Sequence, residues 1–151
     1  MLAGSELAEL ASADYDRHLR SGSRVKFLAL RNEEPPGDAI VVVRGGEMAS
    51  EYVRRTARDA FDETGVYSVS VYLALDEPLA ELCRSEPFLA RYGKVRLSTV
   101  ARMRQAGFVL LPTLARPHYD IVLPDTSDGT LVRLDTCFDP AVPNPGRRLE
   151  P

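Results

Sequence analysis

The stretch FVLLPTLARPHYDIVLPD, residues 108–125, decides the predicted fold. Two apolar runs, FVLLP (108–112) and HYDIVLP (118–124), flank the short loop TLARP, and this pattern predicts a β-hairpin. A second hairpin is predicted where RVKFLALR (24–31) and AIVVVR (39–44) flank the turn EEPPGD. The run AIVVVR is apolar on both faces, as a central strand is. Hairpins near both ends of the chain favour an α+β fold, with a mixed or antiparallel sheet of about five strands packed by several helices.

Further elements are predicted between and around the hairpins. VYSVSVYLAL (66–75) alternates with a period of two, which predicts a strand with an apolar core face. Its second face carries Ser68, Ser70 and Tyr72, which either pack under a helix or line a pocket. Apolar spacing and capping residues predict helices over residues 5–21, 47–64, 78–85, 87–92, 98–106 and 127–138.

The chain is predicted to form one domain, because 151 residues match the usual domain size and no Gly- or Ser-rich linker divides them. We place the single α+β globular domain at residues 1–139. Residues 140–151, PAVPNPGRRLEP, hold four prolines and are predicted to form a proline-rich extended tail.

Composition indicates a cytoplasmic protein. No signal peptide or membrane-length apolar run is evident. Cys83 and Cys137 both fall on apolar stripes, which favours reduced core cysteines over a disulfide. No Cys/His cluster has ligand spacing, so we expect no metal and no cofactor.

The distribution of charge singles out one segment. Residues 1–90 carry 10 basic and 16 acidic side chains, and residues 120–151 carry three basic and six acidic ones. Residues 91–119 carry no acidic side chain and six basic ones: Arg91, Lys94, Arg96, Arg102, Arg104 and Arg116. A basic segment inside a protein of net charge −3 favours binding of RNA or another phosphate-bearing ligand there.

His118 is the candidate catalytic residue of this segment. By strand alternation His118 and Asp120 share the face opposite Tyr119, with Cα atoms about 6.5–7 Å apart, and we expect that face to be exposed. Asp120 would orient the imidazole, while Arg116, with Arg102 or Arg104, would contact phosphate. These are the parts that metal-independent general acid–base cleavage of RNA needs. The alternative is a surface histidine that makes only a local hydrogen bond.

The order of elements here resembles the small HicA-type toxins. A helix ends at Ala106-Gly107-Phe108, a hairpin carries His118 beyond its turn, and a helix follows the Pro124-Asp125 turn. The resemblance implies an RNA-cutting domain of double-stranded-RNA-binding shape, in which His118 is functional. This chain has Arg116-Pro117-His118 where that family carries Gly-Ser-His.

Three other interpretations remain open. STVARMRQAG followed by the hairpin is similar to a winged helix, with Arg102 and Gln105 facing a DNA groove and Arg104 at its margin. Gly45-Gly46 predicts a tight turn from strand to helix, and Arg44 just before it is a candidate to bind a phosphate or a carboxylate. An arginine on one strand and serines on a later one are similar to ADP-ribosyltransferase sites, although no Glu or Gln follows in the later strands.

The main competing function is a non-catalytic interaction protein, such as an antitoxin, an immunity protein or a subunit of a complex. Its acidic surface or its tail at 140–151 would contact a protein partner. We expect no membrane partner.

Overall fold

The computed structural model describes residues 31–46 and 48–147. Within them the strands are β1 (Ile40–Arg44), β2 (Ser68–Ala74), β3 (Lys94–Thr99), β4 (Val109–Pro112), β5 (His118–Val122) and β6 (Val142–Pro143). The helices of the described residues are α1 (Ser50–Thr64), α2 (Leu79–Ser85), α3 (Pro87–Ala90), α4 (Val100–Gln105) and α5 (Asp128–Thr136). All pairings are antiparallel and form one sheet of order β4-β5-β2-β1-β3-β6. The α+β prediction is confirmed, with six strands rather than about five.

Most predicted elements appear within a few residues of their expected bounds. β1 lies between β2 and β3, as its apolar sequence on both faces predicted. The predicted helix over 5–21 and the strand over 24–31, apart from Arg31, lie outside the described residues. The predicted hairpin of this strand with β1 is wrong, because β1 pairs with β2 on one side and with β3 on the other, which leaves it no free edge.

β3 and the two-residue β6 are strands that the sequence did not predict. The helix over 98–106 was expected to begin at a Ser98 cap, but residues 94–99 are extended and Ser98 is buried in the strand. Thr99 is the actual cap of α4, since its hydroxyl accepts a hydrogen bond from the Arg102 backbone N–H at 3.2 Å.

One face of the sheet, which we call the first face, carries the main core. Alternate residues of β1, β2 and β5 point to it and pack with α1 and α5: Val41, Val43, Val69, Val71, Leu73, Tyr119 and Ile121. α1 contributes Val53 and Ala57, and α5 contributes Leu131 and Leu134. Continuous apolar burial on this side stabilises the fold.

The opposite side, the second face, is mixed in character. Near β1 and β3 it holds a smaller apolar cluster with α2 and α3, made of Val42, Leu82, Cys83, Leu89 and Val95. Near β2 and β5 it is polar, because Ser70 lies opposite Asp120 and Tyr72 lies opposite His118 across the strand pair. The polar pairs are the starting point for the candidate site.

The described segment after residue 139 packs against the rest of the chain. Val142–Pro143 forms the edge strand β6 beside β3. The buried side-chain amide of Asn144 donates hydrogen bonds to the carbonyls of Leu89 and Tyr92 at 2.9 and 2.8 Å. The described part of the predicted tail therefore holds α3 and the turn after it, and the packed chain continues through Arg147.

Candidate functional site

A cleft of about 430 Å³ opens on the second face and is the candidate site. Its floor comes from β2 and β5, and one wall comes from α3 and the turn that follows it. The aromatic side chains that line it are Tyr52, Tyr72, Phe88 and Tyr92. A cleft of this size, lined by aromatic rings and a few polar groups, is typical of small-ligand sites.

Two arginines lie around one ring of this cleft. Arg44, at the end of β1, donates a hydrogen bond to Tyr92 Oη at 2.8 Å, and its guanidinium carbon lies 4.8 and 4.9 Å from the ring centroids of Tyr52 and Tyr92. Arg91 lies 5.4 and 5.5 Å from the centroids of Phe88 and Tyr92. Stacking of this kind fixes the position of a guanidinium, a group that binds phosphates and carboxylates.

His118 and Asp120 are buried, so the prediction that they lie on an exposed face is wrong. Their side chains are 8% and 0% exposed. The prediction of a shared face was right, but β5 lies between β4 and β2, so neighbouring strands pack on both sides of it. The Tyr72 ring meets the His118 ring edge-on, with 5.4 Å between centroids. His118 nevertheless lines the cleft.

Thr113 connects these two residues. Its hydroxyl donates a hydrogen bond to Asp120 Oδ2 at 2.5 Å and lies 2.9 Å from His118 Nδ1. The shorter contact is to a carboxylate oxygen, which accepts, so the geometry favours donation to Asp120 and acceptance from Nδ1–H. The Thr113 carbonyl lies 3.2 Å from the same nitrogen and accepts from it as well. This pattern favours the tautomer with its proton on Nδ1, in which Nε2 is the basic nitrogen of the ring.

The sequence reasoning missed Thr113. It assigned Asp120 to orient His118 and did not identify the threonine hydroxyl that contacts both side chains. The available signal was a hydroxyl residue at the start of the hairpin loop, five positions before a histidine at its end. Arg91 was recognised as part of the basic segment but was not assigned a role.

Four of the predicted phosphate contacts lie against acidic side chains instead. Arg96 pairs with Asp135 at 2.5 Å, Arg102 with Asp139 at 3.0 Å, Arg104 with Glu34 at 3.2 Å, and Arg116 with Glu33 and with Asp76 at 2.6 Å. The arginines of residues 91–119 therefore do not form one bare basic patch. Arg44 is the predicted contact that the structure brings into the cleft with His118.

The ion pairs at Arg116 belong to a network that fixes the loop before His118. Arg31 donates hydrogen bonds to the carbonyls of Thr113, Leu114 and His118 at 2.9, 2.6 and 3.0 Å. Burial opposes ionisation of Glu33, but hydrogen bonds from Arg31 and Tyr119 outweigh it and lower the pKa of Glu33. Burial, and then the hydrogen bond to Glu33, raises the pKa of Tyr119 to about 12. Leu114 has φ 54°, and its exposed side chain lines the cleft.

The geometry does not favour a winged helix. β5 is an interior strand, so the β4–β5 hairpin lies within the sheet rather than projecting as a wing. α4 has only six residues, with Val100 and Met103 buried. Arg102 and Arg104 on this helix are held by Asp139 and Glu34.

Comparisons with protein-family models, curated proteins and solved structures found no match. Among the described residues, no group of three or more His, Cys, Asp or Glu side chains could hold a metal ion. In the same part of the chain, no helix is both long enough and apolar enough to cross a membrane. The functional conclusion therefore rests on the geometry of the cleft alone.

Proposed function

We propose that the protein binds RNA, or another phosphate-bearing nucleotide ligand, in the second-face cleft and that His118 transfers a proton there. The observation that carries this proposal is the arrangement of Arg44 and Arg91 around Tyr92, in the same cleft as His118. Guanidinium groups bind phosphate and aromatic rings stack on bases, and single-stranded RNA is recognised by this combination.

The protein's own residues then suit cleavage of a phosphodiester. His118 Nε2 takes the proton of a ribose 2′-hydroxyl, whose oxygen forms a bond to the adjacent phosphorus. The bond from phosphorus to the 5′-oxygen breaks, and that oxygen leaves with a proton from His118 or water. Arg44 and Arg91 stabilise the negative charge on the phosphoryl oxygens. The products are a 2′,3′-cyclic phosphate and a 5′-hydroxyl end.

Two further expectations belong to this proposal. RNA as ligand and the two buried thiols, Cys83 and Cys137, support a cytoplasmic location. A small ribonuclease of this kind would act as a toxin, so expression of the wild type should arrest growth. Expression of a His118→Asn variant should not.

The binding arm of the test uses Arg91→Ala with Arg133→Ala as its matched control. Both arginines are exposed and stack on an aromatic ring, but Arg133 lies over Phe108, away from the cleft. Affinity for a labelled oligoribonucleotide should fall about 10- to 100-fold in Arg91→Ala, as for loss of a charged hydrogen bond. Arg133→Ala should bind like the wild type. Equal loss in both variants would contradict binding in the cleft.

The cleavage arm incubates end-labelled RNA with purified protein in the presence of a chelator. His118→Asn is the informative variant, because the Asn side-chain amide can donate to Thr113 as Nδ1–H does while lacking a group that titrates near neutrality. Cuts with cyclic phosphate ends, made by the wild type and not by the variant, are expected. Cutting by both proteins would exclude His118 as the catalytic residue.

A further inference from the structure

We infer that Thr113 is a positioning residue, which couples the Asp120 carboxylate to His118 and holds the imidazole with its proton on Nδ1. The role is specific to the catalytic step of the proposed function and rests on it. The proton order itself is a property of the folded protein, so it can be tested with no ligand present.

The geometry defines the direction of both hydrogen bonds. Thr113 and Asp120 are both 0% exposed, so water does not replace either contact. The distance of 2.5 Å from the hydroxyl to Asp120 Oδ2 is short for an O–H···O bond, as expected when a carboxylate accepts. The 2.9 Å contact then makes Nδ1–H the donor to Thr113. A negative charge on Asp120 is thus transmitted to the ring through a polarised hydroxyl.

This arrangement does for His118 what a directly bonded carboxylate does in other acid–base sites. It selects one tautomer, sets the orientation of the ring, and favours the imidazolium that forms when Nε2 accepts a proton. The loop that carries Thr113 is fixed by the hydrogen bonds from Arg31 to the Thr113 and Leu114 carbonyls. Thr113 does not line the cleft, so it acts through His118 and does not touch the ligand.

The first measurement is ¹⁵N and ¹H NMR of the His118 ring and the Thr113 hydroxyl in the wild type. The expected result is a protonated Nδ1, an unprotonated Nε2, and a downfield hydroxyl proton in slow exchange that is absent from Thr113→Val. A neutral ring protonated on Nε2 would overturn the inference, because the hydroxyl would then donate to His118 and not to Asp120.

The second measurement separates positioning from packing. Thr113→Val keeps the shape of the side chain and the backbone carbonyl but removes the hydroxyl. We expect kcat to fall about 10- to 100-fold with KM unchanged, and Thr113→Ser to restore most of it. An unchanged kcat in Thr113→Val, with only stability lowered, would make the contact structural and overturn the inference.

The two proposals fail in different ways. If the wild type shows the predicted proton order but neither binds nor cleaves RNA, the proposed function fails and the positioning role for catalysis fails with it. If RNA is cleaved in a His118-dependent way and Thr113→Val cleaves as fast as the wild type, only the positioning role fails.

Discussion

The two faces of the sheet are built from the same strands but bury different chemistry. On the first face, β2 and β5 present Val69, Val71, Tyr119 and Ile121 to α1 and α5, in one continuous core. On the second face, the alternate residues of the same strands include serines, a tyrosine, a histidine and an aspartate. Burying a polar group costs free energy unless hydrogen bonds replace water, so the second face stabilises the fold less for the same burial.

The two faces therefore contribute differently to the stability of the fold and to the candidate site. The larger apolar core lies on the first face, while the second face buries, near β2 and β5, the polar groups for which we propose a functional role. Substitutions on the first face should therefore lower the free energy of unfolding and leave the cleft chemistry of the folded protein intact. Substitutions of residues that line the cleft should change binding or activity and have little effect on the free energy of unfolding.

The largest effect is expected for Leu134→Ala, which truncates a side chain that is 0% exposed on the first face. The free energy of unfolding should fall by about 2–5 kcal/mol, from lost burial and the cavity left behind. Urea denaturation measures it. Val132→Ala on the same helix is the control, since Val132 is 61% exposed and should change stability by less than about 0.5 kcal/mol. Similar losses in both would contradict the assignment of the core.

The next effect concerns Gly146, which packs against the backbone of α2 in the segment that follows Asn144. A Cβ at this position would lie 2.4 Å from the Arg84 backbone nitrogen and 2.6 Å from the Ala80 carbonyl oxygen, so the segment would have to shift. Gly146→Ala should lower the free energy of unfolding by about 1–3 kcal/mol. RNA affinity should fall too, because the displaced segment no longer holds the Tyr92 turn.

Gly129→Ala is the matched control for Gly146→Ala. Gly129 lies in α5, and a Cβ there meets nothing within 4 Å. The substitution should raise stability by about 0.5–1 kcal/mol, because alanine favours the helix. A similar destabilisation by both substitutions would show that the packing at Gly146 is not the cause.

A smaller effect, on affinity more than stability, is expected at Tyr92. Tyr92→Leu removes the ring that both Arg44 and Arg91 contact, and each stacking contact is worth about 0.5–1 kcal/mol at exposed sites. Tyr92→Phe keeps the ring and loses only the hydroxyl that accepts from Arg44. We expect RNA affinity to decrease in the order wild type, Phe, Leu. Equal affinity of the three proteins would mean that Tyr92 does not organise the site.

The smallest effect is a pH dependence on the first-face side, at the start of α5. Hydrogen bonds from Thr130 and then Ser127 lower the pKa of Asp125 from 3.8 to about 2. A lowered pKa means that the carboxylate stabilises the fold above about pH 4 and that this contribution is lost as the pH falls towards 2. Asp125→Asn should be less stable than the wild type at pH 5, with the difference vanishing near pH 2. A constant difference across this range would contradict the assignment.

The sequence predicted the strands better than it predicted their surroundings. Period-two alternation located β2 and β5 and assigned His118 and Asp120 to one face, because alternation depends only on local geometry. Whether that face is buried depends on which strands lie beside β5, and no local pattern contains that information. β3 was missed because KVRLST is short and runs directly into α4, and both Ser98 and Thr99 can cap a helix.

For the candidate site too, local features were predicted from the sequence and tertiary contacts were not. His118 and Arg44 were identified from residue type and position, and both line the cleft. Four arginines of the basic segment pair with acidic side chains that are 37 or more positions away in sequence: Arg96, Arg102, Arg104 and Arg116. Their neutralisation is therefore a tertiary effect. Thr113 was missed because its role depends on a hydroxyl direction that only coordinates supply.

The anchor of the cleft wall has a consequence for synthesis on the ribosome. Asn144 holds the turn that carries Arg91 and Tyr92, and it follows every strand and helix that forms the rest of the site. Translation proceeds from the N-terminal side, so Asn144 leaves the exit tunnel after β5 and after the turn that it holds. The turn with Arg91 and Tyr92 therefore gains this anchor last, after every described strand and helix has been synthesised.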